Sequence, residues 1–185
     1  IAQNVAKLTK IAAIARKHTN LEKGVQNLEA HAEKLIVDLT QLITETTDTE
    51  KIHDYIQSKM LLLPDEIVLT QYIDALSLFK NQEAAKYQFT YEFLDEGFRS
   101  LQDRYEHLCN YASQECLKLF PDFDVIFDRP VQAKHALLMK VCTHFLQEFV
   151  DRTLDYYEND QNFCKMLMYL YETTSNMLAL LFQHQ

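Results

Sequence analysis

Residues 82–119 read QEAAKYQFTYEFLDEGFRSLQDRYEHLCNYASQECLKL. Apolar and aromatic side chains recur in this stretch at alternating steps of three and four residues, at Ala84, Tyr87, Tyr91, Leu94, Phe98, Leu101, Tyr105, Leu108 and Ala112. This spacing places them on one face of an α-helix and is typical of a coiled-coil seam. It predicts a single helix over 82–119, about 57 Å long at 1.5 Å per residue, which includes Gly97 and is ended by Pro121.

The same periodicity predicts helices in most of the remaining chain. The predicted elements are 2–17, 20–46, 50–59, a helix starting at Pro64 or Asp65, one from near Pro130 to about 157, and a last one opened by Asn159 and Asp160. Two capping boxes, Thr19–Glu22 and Thr47–Glu50, predict the starts of the second and third helices. Residues 121–130 are then the only long connection, and their apolar side chains either pack on the bundle or form an exposed docking loop.

The composition supports this helical interpretation. The chain has 185 residues with only 2 glycines and 3 prolines, too few for phosphate-binding loops, dinucleotide fingerprints or the turns of a sheet-rich fold. The predicted fold class is all-α: an antiparallel bundle of about six to seven helices with long coiled-coil-like members. We expect a single domain over 1–185 that belongs to a longer chain.

The charge distribution bears on possible partners. The formal net charge of −9 argues against nucleic-acid binding. The first twenty residues nevertheless contain Lys7, Lys10, Arg16 and Lys17 and no acid. This basic segment is either a helix that packs on an acidic bundle or a contact for an anionic membrane surface or phosphoinositide.

Cysteines and membrane segments bear on location. Cys109, Cys116, Cys142 and Cys164 all fall within helical patterns, without a CxxC pair or a glycosylation sequon in the chain. This usage predicts free thiols and a cytoplasmic protein. No apolar run is long enough for a membrane span.

Residues with catalytic or metal-binding potential are sparse. Glu50 and His53 have the Glu-x-x-His spacing of di-iron bundles, but only one copy is present, so a capping glutamate and a surface histidine are favoured. His144 and Glu148 lie one helical turn apart, as a metal or acid–base pair or as an ordinary polar pair. We therefore predict no catalytic residues, no metal site and no cofactor.

Aromatic side chains are the stronger indication of function. Six of them are the candidate partner-binding residues: Phe89, Phe93, Tyr156, Tyr157, Tyr169 and Tyr171. Phe89 and Phe93 lie off the main seam and are either buried between layers or exposed for a partner helix. The last helix is apolar nearly all round, so it is either central in the bundle or part of an interface.

The predicted function is a non-enzymatic helical module that binds a protein partner through apolar and aromatic helix faces. Elongated helical bundles of this architecture occur in membrane-tethering complexes and in bacterial effectors, so a scaffold-like or effector-like role is expected. The alternative is peripheral membrane or phosphoinositide binding through the basic first helix. A third hypothesis is a small-molecule pocket or enzyme that uses His144 and Glu148 or the cysteines.

Overall fold

A computed structural model of the chain describes residues 7, 10, 11, 14, 22–46, 48–76, 78 and 85–184, with the backbone alone for 22–25, 49, 50 and 93–95. Throughout these residues the regular elements are helical and no strand occurs, which confirms the all-α prediction. The chain divides into two compact units, residues 1–75 and 76–185. The single domain, the antiparallel arrangement and the coiled-coil packing stay predictions.

The first unit contains three helices with described ends. They are α1 (Glu22–Glu45), α2 (Thr49–Met60) and α3 (Asp65–Ala75), and each packs against the other two. Their buried side chains include Leu39, Ile56, Val68 and Ile73. The predicted helices 20–46, 50–59 and the one starting at Pro64 or Asp65 are therefore confirmed, because each supplies core residues, whereas the predicted helix 2–17 is described only at residues 7, 10, 11 and 14.

The start of α2 differs by one residue from the predicted capping box. Asp48 is the N-cap, and its carboxylate accepts a hydrogen bond from the backbone N–H of Lys51 at 3.4 Å. Aspartate is as good an N-cap as serine or threonine. The predicted cap Thr47 lies outside the described residues, as does the Thr19 cap of the first capping box.

The second unit is built on one long helix. Its elements are a 3-10 helix (Tyr91–Glu96), α4 (Phe98–Ile126), α5 (Pro130–Val141), a π-helical turn (Cys142–Leu146), α6 (Gln147–Tyr157) and α7 (Phe163–Phe182). The 3-10 helix, α5 and α7 all pack against α4. Its buried side chains, among them Leu101, Tyr105, Leu108 and Phe123, form the centre of this core.

The prediction of one helix over 82–119 is wrong in its first half. Residues 86–90 form a turn, a bend and a short irregular segment, a 3-10 helix follows, and α4 begins only at Phe98. Gly97 separates the two helices with a φ of +87°, a conformation that side-chain-bearing residues rarely adopt. The apolar spacing continues across this break although Tyr91 is exposed and Tyr87 is half-buried, and the buried aromatic residue before Gly97 is Phe89, which lies off the predicted seam.

Pro121 does not end the helix as predicted. It lies exposed inside α4, which continues to Ile126. An interior proline removes one backbone hydrogen bond and costs about 3 kcal/mol, and the burial of Phe120, Phe123 and Ile126 around it offsets this cost. The predicted connection over 121–130 therefore shrinks to residues 127–129, and the exposed docking loop is not formed.

The predicted helix from Pro130 to about 157 is confirmed in extent but contains the π-helical turn. A π-turn adds one residue to a helical turn and rotates everything after it. The apolar face predicted from Val131 to Tyr156 is wrong at both ends, where these two residues are exposed, and the π-turn lies between Val131 and the shifted residue Tyr156. Phe145 and Phe149 of the same face are buried.

Candidate functional site

Helix α7 has two apolar surfaces. The first, called here the inner arc, comprises Met166, Leu170, Met177 and Leu181, which are buried. The second, called here the outer arc, comprises Cys164, Met168, Tyr171, Ser175, Leu178 and Phe182. At 100° per residue the outer arc lies about 120° around the helix from the inner arc.

The outer arc is uncharged, and four of its six residues are exposed to solvent, whereas Ser175 and Leu178 are half-buried. Met168, Tyr171 and Phe182 are 61%, 72% and 51% exposed. Its members follow each other at steps of four, three, four, three and four residues, which is the spacing of a coiled-coil seam. Soluble proteins seldom leave such a surface exposed along a whole helix unless it binds something.

A groove runs beside the outer arc in the second unit. Its volume is about 400 Å³, within the range of ligand-binding clefts. One wall is formed by Cys142, Leu146, Gln147 and Val150, and the other by Leu167, Tyr171, Ser175 and Leu178. The floor consists of Tyr105, Leu170 and Thr174. None of these side chains is charged at neutral pH, so the groove favours an apolar occupant.

The floor of the groove is fixed by a buried hydrogen bond. The Tyr105 hydroxyl lies 2.7 Å from Thr174 Oγ1. Thr174 donates its own proton to the carbonyl of Leu170, so Tyr105 is the donor of this pair. The Tyr105 ring also packs against Phe149 of α6, with 5.1 Å between ring centroids. These contacts join α4, α6 and α7, and the groove therefore exists before any ligand arrives.

The π-helical turn shapes one wall. Cys142 begins the turn and Leu146 ends it, and both line the groove. π-Turns occur frequently at functional sites because the wider turn redirects side chains. Burial raises the pKa of the Cys142 thiol, so this wall presents a protonated sulfur, which is a poor nucleophile.

The two rims of the groove differ in charge. Val150 and Gln147 line the groove from α6, and on the helical wheel Asp151, Asp155 and Glu158 follow them on the solvent side. All three carboxylates are exposed. The rim contributed by α7 is formed by Met168 and Ala179 of its exposed surface, and the exposed charges beyond them, Glu172 and Lys165, balance each other. The groove thus has one acidic rim and one apolar rim.

The predicted partner-binding aromatics separate into buried and exposed residues. Phe89 is buried edge-on against Phe149, and Tyr157 is buried edge-on against Phe98. Both are corrected here, because rings that fill the core of this unit offer little surface to a partner. The side chain of Phe93 lies outside the described residues.

The other three predicted aromatics are more accessible. Tyr171 lies on the outer arc and lines the groove, whereas Tyr156 is 51% exposed but is not a groove residue. Tyr169 is half-buried, and its hydroxyl donates to the carbonyl of Gln102 at 3.1 Å and to Glu106 at 3.3 Å. Of the predicted aromatic residues whose side chains the structure describes, Tyr171 is the only one that lines the groove.

The groove residues on α6 escaped the sequence analysis. Leu146 ends the π-turn and Val150 follows it, so the direction in which their side chains point depends on the extra residue of that turn. No residue pattern predicts the turn. On α7 a signal was present, because the outer arc has regular four–three spacing. It was hidden by the equally apolar inner arc of the same helix.

A second cavity, also about 400 Å³, lies on the other flank of α7. Its lining includes Glu106, Asn110, Glu172 and Asn176, so it is polar where the groove is apolar. Burial and the neighbouring Glu106 raise the pKa of Tyr169, which also lines it. A surface of this chemistry does not suit the apolar stripe of a partner helix.

Residues with catalytic or metal-binding potential are dispersed. Glu148 forms an ion pair with Arg152 at 2.7 Å, and His144 is exposed. His53 is half-buried, and the Glu50 side chain lies outside the described residues. In the part of the chain that the structure describes, no three His, Cys, Asp or Glu residues are grouped to hold a metal ion.

The buried nucleophilic groups are two cysteine thiols and one lysine. The thiols are held in their neutral form, and the lysine is enclosed. Burial raises the pKa of Cys109 and of Cys116 to about 12. Burial lowers the pKa of Lys59, whose ammonium donates to Thr40 Oγ1 at 2.5 Å. The cavity beside Lys59 is only about 10 Å³, which is room for about one water molecule.

The predicted membrane-contact residues are partly described. Lys7 and Lys10 are helical and exposed, on the same helix face as Ile11 and Ile14. These isoleucines are exposed as well. Arg16 and Lys17 lie outside the described residues. Among the helices that the structure describes, none has the length and apolarity to span a membrane.

No protein-family model, curated protein or solved structure matches the chain. The groove and the outer arc are therefore the features from which its function is inferred.

Proposed function

We propose that the chain is a non-enzymatic interaction module in the cytoplasm, of a scaffold or effector type, that binds a helix of a protein partner. The observation that carries this proposal is the uncharged outer arc of α7, exposed beside a preformed apolar groove. The four free cysteines support a reducing compartment.

The shape and spacing of this surface favour a helical occupant. A partner helix can place its own apolar residues between those of the outer arc, because four–three spacing is what helix-in-groove binding requires. Fully burying one large apolar side chain contributes about 1.5–3 kcal/mol. A few anchors from the partner helix therefore suffice for measurable affinity, with Tyr171 as the central contact.

The test uses a fluorescent amphipathic peptide of about 20 residues, long enough to form a helix, and a scrambled control. We expect Tyr171→Lys to weaken binding at least about tenfold, because it places a charge in an apolar contact. Val125→Lys, an exposed α4 position outside the groove, is the matched control and should bind like the native chain. Equal affinity for the scrambled peptide, or no effect of Tyr171→Lys, would contradict the proposal.

A second function is favoured by a different observation. Lys7, Lys10, Ile11 and Ile14 are all exposed and follow the i, i+3, i+4, i+7 spacing of one helix face. Ammonium groups beside large apolar side chains are typical of helices that lie on anionic membranes. We propose peripheral membrane binding as the alternative.

Vesicle flotation tests this alternative. Vesicles that contain phosphatidylserine should carry the chain to the top of the gradient at low salt, and Lys7→Glu with Lys10→Glu should abolish this. Lys165→Glu, an exposed lysine of α7, serves as the control. Binding that ignores lipid charge and salt would rule out this function.

A further inference from the structure

We infer that the partner helix is basic along one flank only, the flank that faces α6. This inference rests on the proposed function and specifies the chemistry of the partner. It follows from the asymmetry of the groove, in which the α6 rim is acidic and the α7 rim is apolar.

The positions of the carboxylates define where the basic flank lies. The order of residues around the helix axis of α6 starts at its buried face, with Phe149 and Thr153. The groove residue Val150 follows, and then the exposed Asp151 and Asp155. A helix that is seated in the groove and continues along α6 past Val150 therefore has these carboxylates beside it, on the solvent side of the groove wall. On its other side it meets the apolar rim of α7.

The rim carboxylates are available for such a partner. The ion pair of α6 is made by Glu148 and Arg152, and the Arg152 guanidinium also lies over the Tyr91 ring at 5.5 Å. Arg152 is thus engaged on the outward side of α6. Among the ion pairs of the described residues, none includes Asp151, Asp155 or Glu158.

Their spacing sets the spacing of the partner's cations. Asp151, Asp155 and Glu158 follow each other at steps of four and three residues. They span about 10 Å at 1.5 Å per residue. A partner helix that lies along α6 meets them with lysines or arginines at the same steps. Exposed pairs contribute about 0.2–1 kcal/mol each, so three pairs together change the affinity about tenfold.

The experiment compares peptides that share one apolar stripe and differ only in one flank. That flank carries lysine, glutamine or glutamate, and a fourth peptide carries its lysines on the opposite flank. We expect the affinity to fall in the order lysine, glutamine, glutamate, with about tenfold between the extremes. The fourth peptide, which points its lysines at the apolar rim, should bind about as the glutamine peptide does. Raising the salt should reduce the differences.

A charge reversal on the protein makes the test specific to the rim. In Asp151→Lys with Asp155→Lys the order of the peptides should reverse. The control, Asp54→Lys with Asp103→Lys, makes the same change in net charge at exposed positions outside the groove. It should keep the native order. Circular dichroism verifies that both variants are folded.

The outcomes separate the inference from the proposed function. If all four peptides bind the native chain equally, the basic flank is wrong and the helix-binding function stands. If no peptide binds, both fail. If the control reverses the order as well, or the rim variant does not, the preference comes from the net charge of −9, and the inference is overturned.

Discussion

The inner and outer arcs of α7 have similar side chains and very different environments. Leu170 of the inner arc is buried against α4, whereas Tyr171, the next residue, is 72% exposed. Both arcs are apolar and both repeat at helical spacing, so composition and periodicity cannot assign their roles. The comparison shows that one arc of α7 is buried in the fold while the other is largely exposed, and we propose that the exposed arc serves binding.

Thiol labelling gives the largest expected contrast between an exposed residue of the outer arc and a residue buried in the core. Cys164 belongs to the outer arc, and Cys109 lies buried on α4. Because burial raises the pKa of Cys109 to about 12, its thiolate is scarce at neutral pH. We expect Cys164 to react at least about 100-fold faster with a thiol reagent. Peptide mapping of the labelled chain measures the ratio, and similar rates would contradict the assigned burial.

Two matched leucine substitutions compare the inner arc with the groove wall by stability. Leu170→Ala on the inner arc should lower the free energy of unfolding by about 2–5 kcal/mol, because it leaves a cavity in the core. Leu167→Ala, a residue 43% exposed on the groove wall, should cost less than about 1 kcal/mol. Urea denaturation of both variants measures the difference. Equal losses would mean that the groove wall contributes to folding as much as the inner arc does.

A smaller effect on stability is expected at the groove floor, which lies between the inner and the outer arc. Tyr105→Phe removes the hydroxyl that donates to Thr174 on the groove floor. One such hydrogen bond contributes about 1 kcal/mol, and denaturation should show a loss of this size. A loss near zero would indicate that the hydroxyl does not fix the floor.

The same variant has a defined pH dependence. Burial raises the pKa of Tyr105 in the folded chain, so the buried neutral phenol contributes stability below its ordinary pKa of about 10. That contribution is lost as the pH rises above about 10, because the unfolded tyrosine ionises first. The native chain should therefore lose its advantage over Tyr105→Phe in alkaline denaturation series. A constant or growing advantage would contradict the burial.

The smallest effect is expected on the outer arc itself. Tyr171→Lys should change the free energy of unfolding by less than about 0.5 kcal/mol, because its side chain is already in water. The same substitution should weaken peptide binding strongly. A large loss of stability would assign the outer arc to the fold instead of to a partner.

Much of the architecture could be predicted from the sequence, because apolar side chains at helical spacing form helices wherever they can be buried. The helices from Glu22, Thr49 and Asp65 follow from this rule. The prediction failed around Gly97, because the four–three spacing continues through residues that form a turn and a 3-10 helix, where Tyr91 is exposed. It failed at Pro121 because the packing of its neighbours outweighs the local preference.

The candidate site was less predictable. Tyr171 was identified as a partner-binding residue from the abundance of tyrosine near the end of the chain. Phe89 and Tyr157 are candidate partner-binding residues in the sequence because an aromatic residue that fills a core and one that binds a partner have the same sequence pattern. Val150 and Leu146 depend on the π-turn, which arises from packing rather than from a residue motif.

The most direct test of the helix-binding surface is chemical-shift mapping of the ¹⁵N-labelled chain with the lysine-flanked peptide. The largest amide shifts should fall on 142–158 and on 164–182, the segments that form the groove and the outer arc. Tyr171→Lys should suppress them at the same peptide concentration. Saturable binding whose shifts lie in the first unit, or on the polar flank with Glu106 and Asn110, would contradict the account.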